Sequence, residues 1–296
     1  AQTDLASRWL AQRRLHTQKA EITGRFLILI EPDGSVVNRR APPLQEAMTW
    51  AWGASEQARL VPYRTLVGAL GAAGWRRAGI PVAGLPAPIT PHYGVFTPTR
   101  HAYLSLLDAW NDVRGCRVLD VGCGTGVLSF LLLSRGAASV VATDLDPRSV
   151  VCANENAVSL GFSTQFTALE TDLFPVNETF DRIVFNPPWV PADPATRLDR
   201  AVYDAGGQTV CRWLAGVQTH LNPSGEAGLI ISDFPERLGL RSARWLQERI
   251  QEAGLHILSR TSVFAQHGKS QDRRDPFYDV RKGEQIYLYR LVPNHY

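Results

Sequence analysis

From residue 115 onward, the apolar residues fall into short unbroken runs separated by stretches with helical spacing. Val118, Leu119 and Val121 run into three glycines at alternate positions, Gly122, Gly124 and Gly126. A helical pattern then opens at Val127 with Leu128, Phe130, Leu131 and Leu132, closing at Gly136. This reads as strand, tight glycine turn and helix. The alternation repeats. Residues 139–143 read as a buried strand ending at Asp144, and Asp146-Pro147 opens a helix, with Asp as N-cap and Pro at the first helical position. Gly161 closes that helix. Further strands are expected at 166–169, 180–185, 227–232, 255–264 and 285–291, with helices at 210–221 and 242–253. Continuous rather than alternating apolar runs suit strands covered on both faces. The expected fold class is α/β: a doubly wound, mostly parallel seven-stranded sheet with helices on both faces.

The first third of the chain has a different texture. Residues 4–20 place Leu5, Trp9 and Leu10 against Arg13 and Arg14 at helical spacing, which predicts a surface helix. Residues 26–30, then Pro32-Asp33-Gly34 and Val36-Val37, read as a β-hairpin because Asp-Gly supplies the turn. Residues 44–79 predict two helical pieces anchored by Trp50, Trp52 and Trp75, the second weakened by Gly68, Gly71 and Gly74. Pro81, Pro86, Pro88 and Pro91 read as an extended linker. The division expected is a small α+β accessory domain over 1–88 and a larger catalytic domain over 89–296, the latter beginning with an amphipathic helix at 100–110.

Composition narrows the classes. The chain has 296 residues and is 45% hydrophobic, enough for a proper core. Its 31 Lys and Arg against 28 Asp and Glu give a net charge of +3, too small to argue for a polyanionic partner by itself. Arg39-Arg40 and Arg76-Arg77 read as solvated surface. The cysteines Cys116, Cys123, Cys152 and Cys211 have neither a Cys-x-x-Cys pair nor metal-like spacing, so no metal is expected and a reducing, cytoplasmic setting is. No apolar run approaches the roughly 20 residues of a membrane span, and no signal-peptide pattern opens the chain.

The glycine turn carries the candidate chemistry. It lets backbone approach a ligand where a Cβ would collide, and it aims the next helix's N–H groups at that ligand. A dinucleotide fingerprint would need Gly or Ala three places after Gly124, where Val127 stands. An ordinary strand-to-helix turn is the plainer alternative. Asp144 lies 22 positions after Gly122, where a carboxylate can take two ribose hydroxyls.

Asp120-Val121-Gly122-Cys123-Gly124-Thr125-Gly126, then Asp144, Asp172 and Asn186-Pro187-Pro188-Trp189, in this order, resemble a class I S-adenosylmethionine-dependent methyltransferase with its Rossmann-like sheet. The resemblance runs from about residue 94 to 293. The last motif is similar to that of enzymes methylating planar nitrogens: release-factor glutamine methyltransferases and N6-adenine or N2-guanine methyltransferases. The resemblance implies S-adenosylmethionine as cofactor, with S-adenosylhomocysteine as product. It implies cofactor contacts from Phe96, Thr97, Asp120, Gly122, Cys123, Gly124, Gly126, Asp144, Leu145, Asp172, Leu173 and Asn186. Asp144 would bind ribose, Asp172 the adenine amino group, and Leu173 the ring; Asp146 is an alternative ribose ligand. The catalytic stretch would be Asn186, Pro187, Pro188 and Trp189.

Further along, residues 190–200 form a polar loop. Tyr203-Asp204-Ala205-Gly206-Gly207 resembles the Asp-Gly-Gly segment of the glutamine methyltransferases, with Ala205 interrupting the match. The connection over 265–283 is too long for a hairpin. It leaves a strand end at the edge where open α/β sheets bind ligands, and it carries His267, Arg273 and Tyr278 as candidate acceptor contacts. A substrate-covering loop whose removal spares the fold is expected. The leading function is an N-methyltransferase acting on an amide or amine of a protein or small molecule. A nucleic-acid base methyltransferase is the second reading, disfavoured by weak charge and the lack of a basic stripe. A non-catalytic cofactor-binding module is the third.

Overall fold

The computed structural model describes residues 2–294 apart from 39, 111 and 195–197. The first element is helix α1 (Gln2–Gly24), followed by β1 (Leu27–Ile30), α2 (Gln45–Trp52), β2 (Arg59–Pro62) and α3 (Tyr63–Ala78). The Asp-Gly turn forms, with Ser35 N donating to the Asp33 carboxylate at 2.8 Å. The expected hairpin does not. β1 pairs antiparallel with β2, and Leu29 faces Leu60. After the turn the chain reaches Pro42 and Pro43, which lack N–H donors and cannot extend a ladder, and Val37 is left 96% exposed. Ile30, Leu44, Met48, Val61 and Leu66 make a small core of their own. Arg39 lies outside the described residues, Arg40 is exposed, and Arg76 and Arg77 pair with Glu155 and Glu46.

Residues 102–109 form a 3-10 helix, not the α-helix expected. Tyr103 and Leu106, then Leu104, Leu107 and Trp110, are buried at spacings of three, the repeat of a 3-10 turn. Then come β3 (Arg117–Val121), α4 (Val127–Ser134), β4 (Ser139–Asp144), α5 (Pro147–Leu160), β5 (Phe166–Glu170), β6 (Phe180–Phe185), α6 (Gln208–Val217), β7 (Leu221–Ser232), α7 (Phe234–Leu238), α8 (Trp245–Glu252), β8 (Leu255–Phe264), α9 (Gly268–Gln271), α10 (Tyr278–Lys282) and β9 (Gln285–Pro293). The sheet order is β5-β4-β3-β6-β7-β9-β8. The pairs from β5 to β7 are parallel, while β9 runs antiparallel between β7 and β8. The doubly wound α/β architecture is therefore present, with one cluster of buried side chains on each face of the sheet.

The strand order reverses between β4 and β6, on either side of β3. That is a topological switch point, where a crevice opens at the carboxyl ends of the strands. Residues 265–283 differ from the expected open loop. They fold into α9 and α10, and Phe277 and Val280 are buried with Trp9 of α1, Val190, Phe234 and Leu238. Among the described residues no helix is long and apolar enough to cross a membrane.

Candidate active site

A cleft of about 580 Å³ lies over the carboxyl ends of β3, β4 and β6. Its floor is the glycine turn. Gly122, Gly124 and Gly126 all have φ between 55° and 81°, a region that favours glycine. Gly126 begins α4, and a Cβ there would meet the Phe130 ring at 2.6 Å. At Gly124 a Cβ would meet nothing within 4 Å. It would occupy the cleft, so the backbone is bared to whatever binds there. The turn is pinned across the sheet: Cys123 N donates to Thr143 O at 3.0 Å, and Gly124 N donates to Asp144 Oδ2 at 3.0 Å.

Asp144 also accepts from Asp146 N at 2.9 Å, and burial raises its pKa against the pull of these bonds. Asp146 caps α5 by accepting from Arg148 N. Asp120 is buried beneath the turn. Its Oδ2 accepts from Ser129 Oγ at 2.6 Å and from Ser129 N, while its Oδ1 has no partner. Burial pushes its pKa up to about 7. Cys123 is buried in the turn, which pushes its thiol up as well. Asp172 and Leu173 follow β5 along the rim. Asp172 pairs with Arg212 of α6. Leu173 takes a left-handed φ of 61° and its carbonyl accepts from Thr143 Oγ1 at 2.7 Å.

Asn186, Pro187, Pro188 and Trp189 leave β6 along the cleft wall. The Asn186 Oδ1 is buried with no donor among the described residues. A buried amide oxygen without a donor costs about 1–3 kcal/mol. Trp189 packs against three apolar clusters at once and still lines the cleft.

Most of the residues read from the sequence gather here. Phe96, Gly122, Cys123, Gly124, Asp144, Leu145, Asp172, Leu173, Asn186 to Trp189, Tyr203, Asp204 and His267 line the cleft. Thr97, Asp120 and Gly126 do not line it; the last two support its floor. Asp204 is committed elsewhere, because its carboxylate caps α6 through Thr209 N, Thr209 Oγ1 and Val210 N. Arg273 is exposed and Tyr278 lies against Lys282; neither lines the cleft. His267 does. Its Nδ1 accepts from Ser270 N and its Nε2 lies 3.5 Å from Glu284 Oε2. Arg100, Tyr103, Gln208 and Arg212 also line the cleft. The sequence carries no local signal for them, because helices and turns distant in the chain bring them in. Among the described residues no His, Cys, Asp and Glu cluster could hold a metal.

The family model for ribosomal protein L11 methyltransferase matches residues 97–205. A tRNA1(Val) (adenine(37)-N6)-methyltransferase of Haemophilus influenzae is 30% identical over 176 residues, covering 57% of this chain and 72% of that protein. A release factor glutamine methyltransferase of Cereibacter sphaeroides is 34% identical over 155 residues, covering 48% of this chain and 53% of that protein. A candidate N5-glutamine methyltransferase of Methanocaldococcus jannaschii is 35% identical over 121 residues, 40% of this chain and 59% of that protein. The chain thus spans little more than half of the glutamine methyltransferases it matches. Among solved structures, a ribosomal protein L11 methylase of Lactobacillus delbrueckii superposes with a TM-score of 0.44 at 23% identity, over 65% of this chain and 76% of that one.

Proposed function

The chain belongs to the S-adenosylmethionine-dependent methyltransferases, and on that footing we propose that it transfers a methyl group to a planar amide or exocyclic amine nitrogen. The observation that carries the reading is the partnerless Asn186 Oδ1 on the wall of the cleft.

The cleft residues fit the cofactor. Gly124 offers bare backbone, Asp144 a carboxylate beside the turn that would take the ribose hydroxyls, and Leu145 and Leu173 apolar surface for a ring. Asp172 is the acceptor for an adenine amino group once Arg212 shares it. Phe96 lines the same cleft, and Asp120 supports the turn from beneath through Ser129. When bound, the cofactor supplies a methyl group already activated on a sulfonium.

The protein's task is alignment. Asn186 Oδ1 accepts one N–H of the acceptor nitrogen, and the carbonyl of Pro187 accepts the other. Two acceptors on one nitrogen turn its lone pair out of conjugation and toward the methyl. Pro187 holds Asn186 extended, and Pro188 continues a segment with no N–H to compete. Trp189 offers a flat face to a planar group. No strong base is needed, because the nitrogen's proton becomes acidic once the bond forms.

Two acceptor classes share this geometry: a glutamine side-chain amide and an adenine exocyclic amine. The first is the reading favoured by the modest net charge. The second gains from the aromatic wall of Trp189 and Tyr203, which suits a heteroaromatic ring. The test is turnover of tritiated S-adenosylmethionine with a glutamine peptide and with an unmodified transfer RNA as acceptors. Label incorporated by neither, with wild-type protein that binds the cofactor, would remove both acceptor classes.

A further inference from the structure

The acceptor end of the cleft continues into a second, smaller pocket of about 190 Å³. Arg100, Trp189, Val202, Tyr203 and Glu284 line both, so the two spaces share a wall at the Asn186–Trp189 end. The small pocket is strongly basic. Arg13 comes from α1, Arg100 from the segment before the 3-10 helix, Lys269 from α9 and Arg281 from α10. Four cations from four separate parts of the chain converge on one hollow.

Carboxylates stand beside three of the four, and one positive charge is left over. Arg13 lies 3.5 Å from Asp199 and stacks over the Tyr203 ring at 3.8 Å. Arg281 lies 3.3 Å from Asp275. Arg100 is attracted by Glu284 in the same lining, and Lys269 has no ion-pair partner among the described residues. The one carboxylate in the lining, Glu284, is buried and already accepts from Ser232 Oγ at 2.6 Å. Tyr203, whose pKa burial raises, feels Arg13, Asp199, Arg281 and Arg100 together. Four cations against three carboxylates leave an excess of positive charge on the hollow, which an anion would neutralise.

The arrangement also says which anion. A planar carboxylate is satisfied by one bidentate guanidinium fork. Cations arriving from several directions instead match the spread oxygens of a tetrahedral group. We propose that this pocket seats a phosphate group carried by the methyl acceptor, one step beyond the nitrogen held at Asn186. The inference rests on the reading of Asn186 as the acceptor site. It makes the acceptor a phosphorylated molecule, with the phosphate belonging either to a nucleotide or to a phosphorylated protein side chain.

The probe is inorganic phosphate, titrated calorimetrically into the whole protein at constant ionic strength. Lys269→Gln, at an exposed position, and Arg13→Gln are titrated alongside. Saturable binding of one equivalent is expected, weakened about tenfold when the two substitutions are combined, with acetate at equal concentration failing to compete. S-adenosylhomocysteine should bind the variants as it binds the parent. Competition by adenosine monophosphate stronger than by O-phosphoserine would assign the phosphate to a nucleotide, and the reverse order to a protein. Absence of saturable phosphate binding, binding indifferent to both substitutions, or equal competition by acetate would overturn the proposal. Failure of the parent to bind S-adenosylhomocysteine would instead overturn the methyl-transfer reading, and is separable because phosphate binding is read on its own.

Discussion

At the scale of single residues, Asp120 and Asn186 are each costly where they stand. Burial raises the Asp120 carboxyl to about 7, above the roughly 3.9 of an unfolded chain. The folded protein therefore binds the proton more tightly than the unfolded one. Stability must fall as pH rises from about 4 to about 7 and level off above, by an amount of roughly 4 kcal/mol for this group alone. Asp120→Asn keeps the shape and removes the charge. The stability difference between variant and parent, from urea unfolding at pH 5 and pH 8, should favour the variant more at the higher pH; an equal difference at both would show that Asp120 ionises freely. Asn186 yields a second prediction. Since its Oδ1 is buried without a donor, Asn186→Ala should leave the melting temperature unchanged or raise it. Cofactor affinity should stay intact while single-turnover methyl transfer is lost, because orientation matters mainly in the transition state. A variant that turns over at the parent's rate sinks the role given to this side chain.

At the scale of elements, the glycine turn and the 265–283 cap behave differently. Gly126→Ala would force a Cβ into Phe130 at 2.6 Å and strain a φ of 81°. A loss of about 1–3 kcal/mol is expected in chemical denaturation; an unchanged midpoint would mean that the turn has another conformation. The cap was expected to be a dispensable cover. Instead Phe277 is only 3% exposed among Trp9, Phe234 and Leu238. Phe277→Ala should cost about 3–5 kcal/mol, and deleting 268–280 should destabilise the fold rather than spare it. This contrast marks what the sequence made legible. All seven strands of the main sheet could be read: the buried parallel ones are short apolar runs bounded by glycine and aspartate, while the antiparallel β8 and β9 carry the β-branched and aromatic residues of strands. The site's carboxylates and Asn186 could be read because they sit at the ends of those strands. The misplaced hairpin and the open cap share one cause. Local turn chemistry was visible at Asp33-Gly34, but the partner of β1 lies some 30 residues on, and the apolar anchors Phe277 and Val280 sit between charges that resemble a solvated loop. Arg273 and Tyr278 were misassigned for the same reason, since the folded cap holds Arg273 exposed in the turn between its helices and sets Tyr278 against Lys282.

At the scale of the whole molecule, the first helix and the last cap meet over the acceptor end of the site. Trp9 is 4% exposed and joins residues more than 180 positions away, so α1 helps to build the wall that continues from Trp189. The cofactor end is built mainly from β3, β4, β5 and the turns after them, with Phe96 and Arg212 at its edge. The two ends should therefore fail separately: substitutions near Trp9 should impair acceptor use and leave cofactor binding alone. The central claim is that the turn at Gly122–Gly126 and Asp144 hold S-adenosylmethionine. Its most direct test is titration calorimetry of S-adenosylhomocysteine into the parent protein and into Asp144→Ala. One equivalent should bind the parent, and the variant should bind more weakly by about 1–3 kcal/mol through loss of a charged hydrogen-bond partner. No binding by the parent, or an affinity unchanged in the variant, would contradict the account.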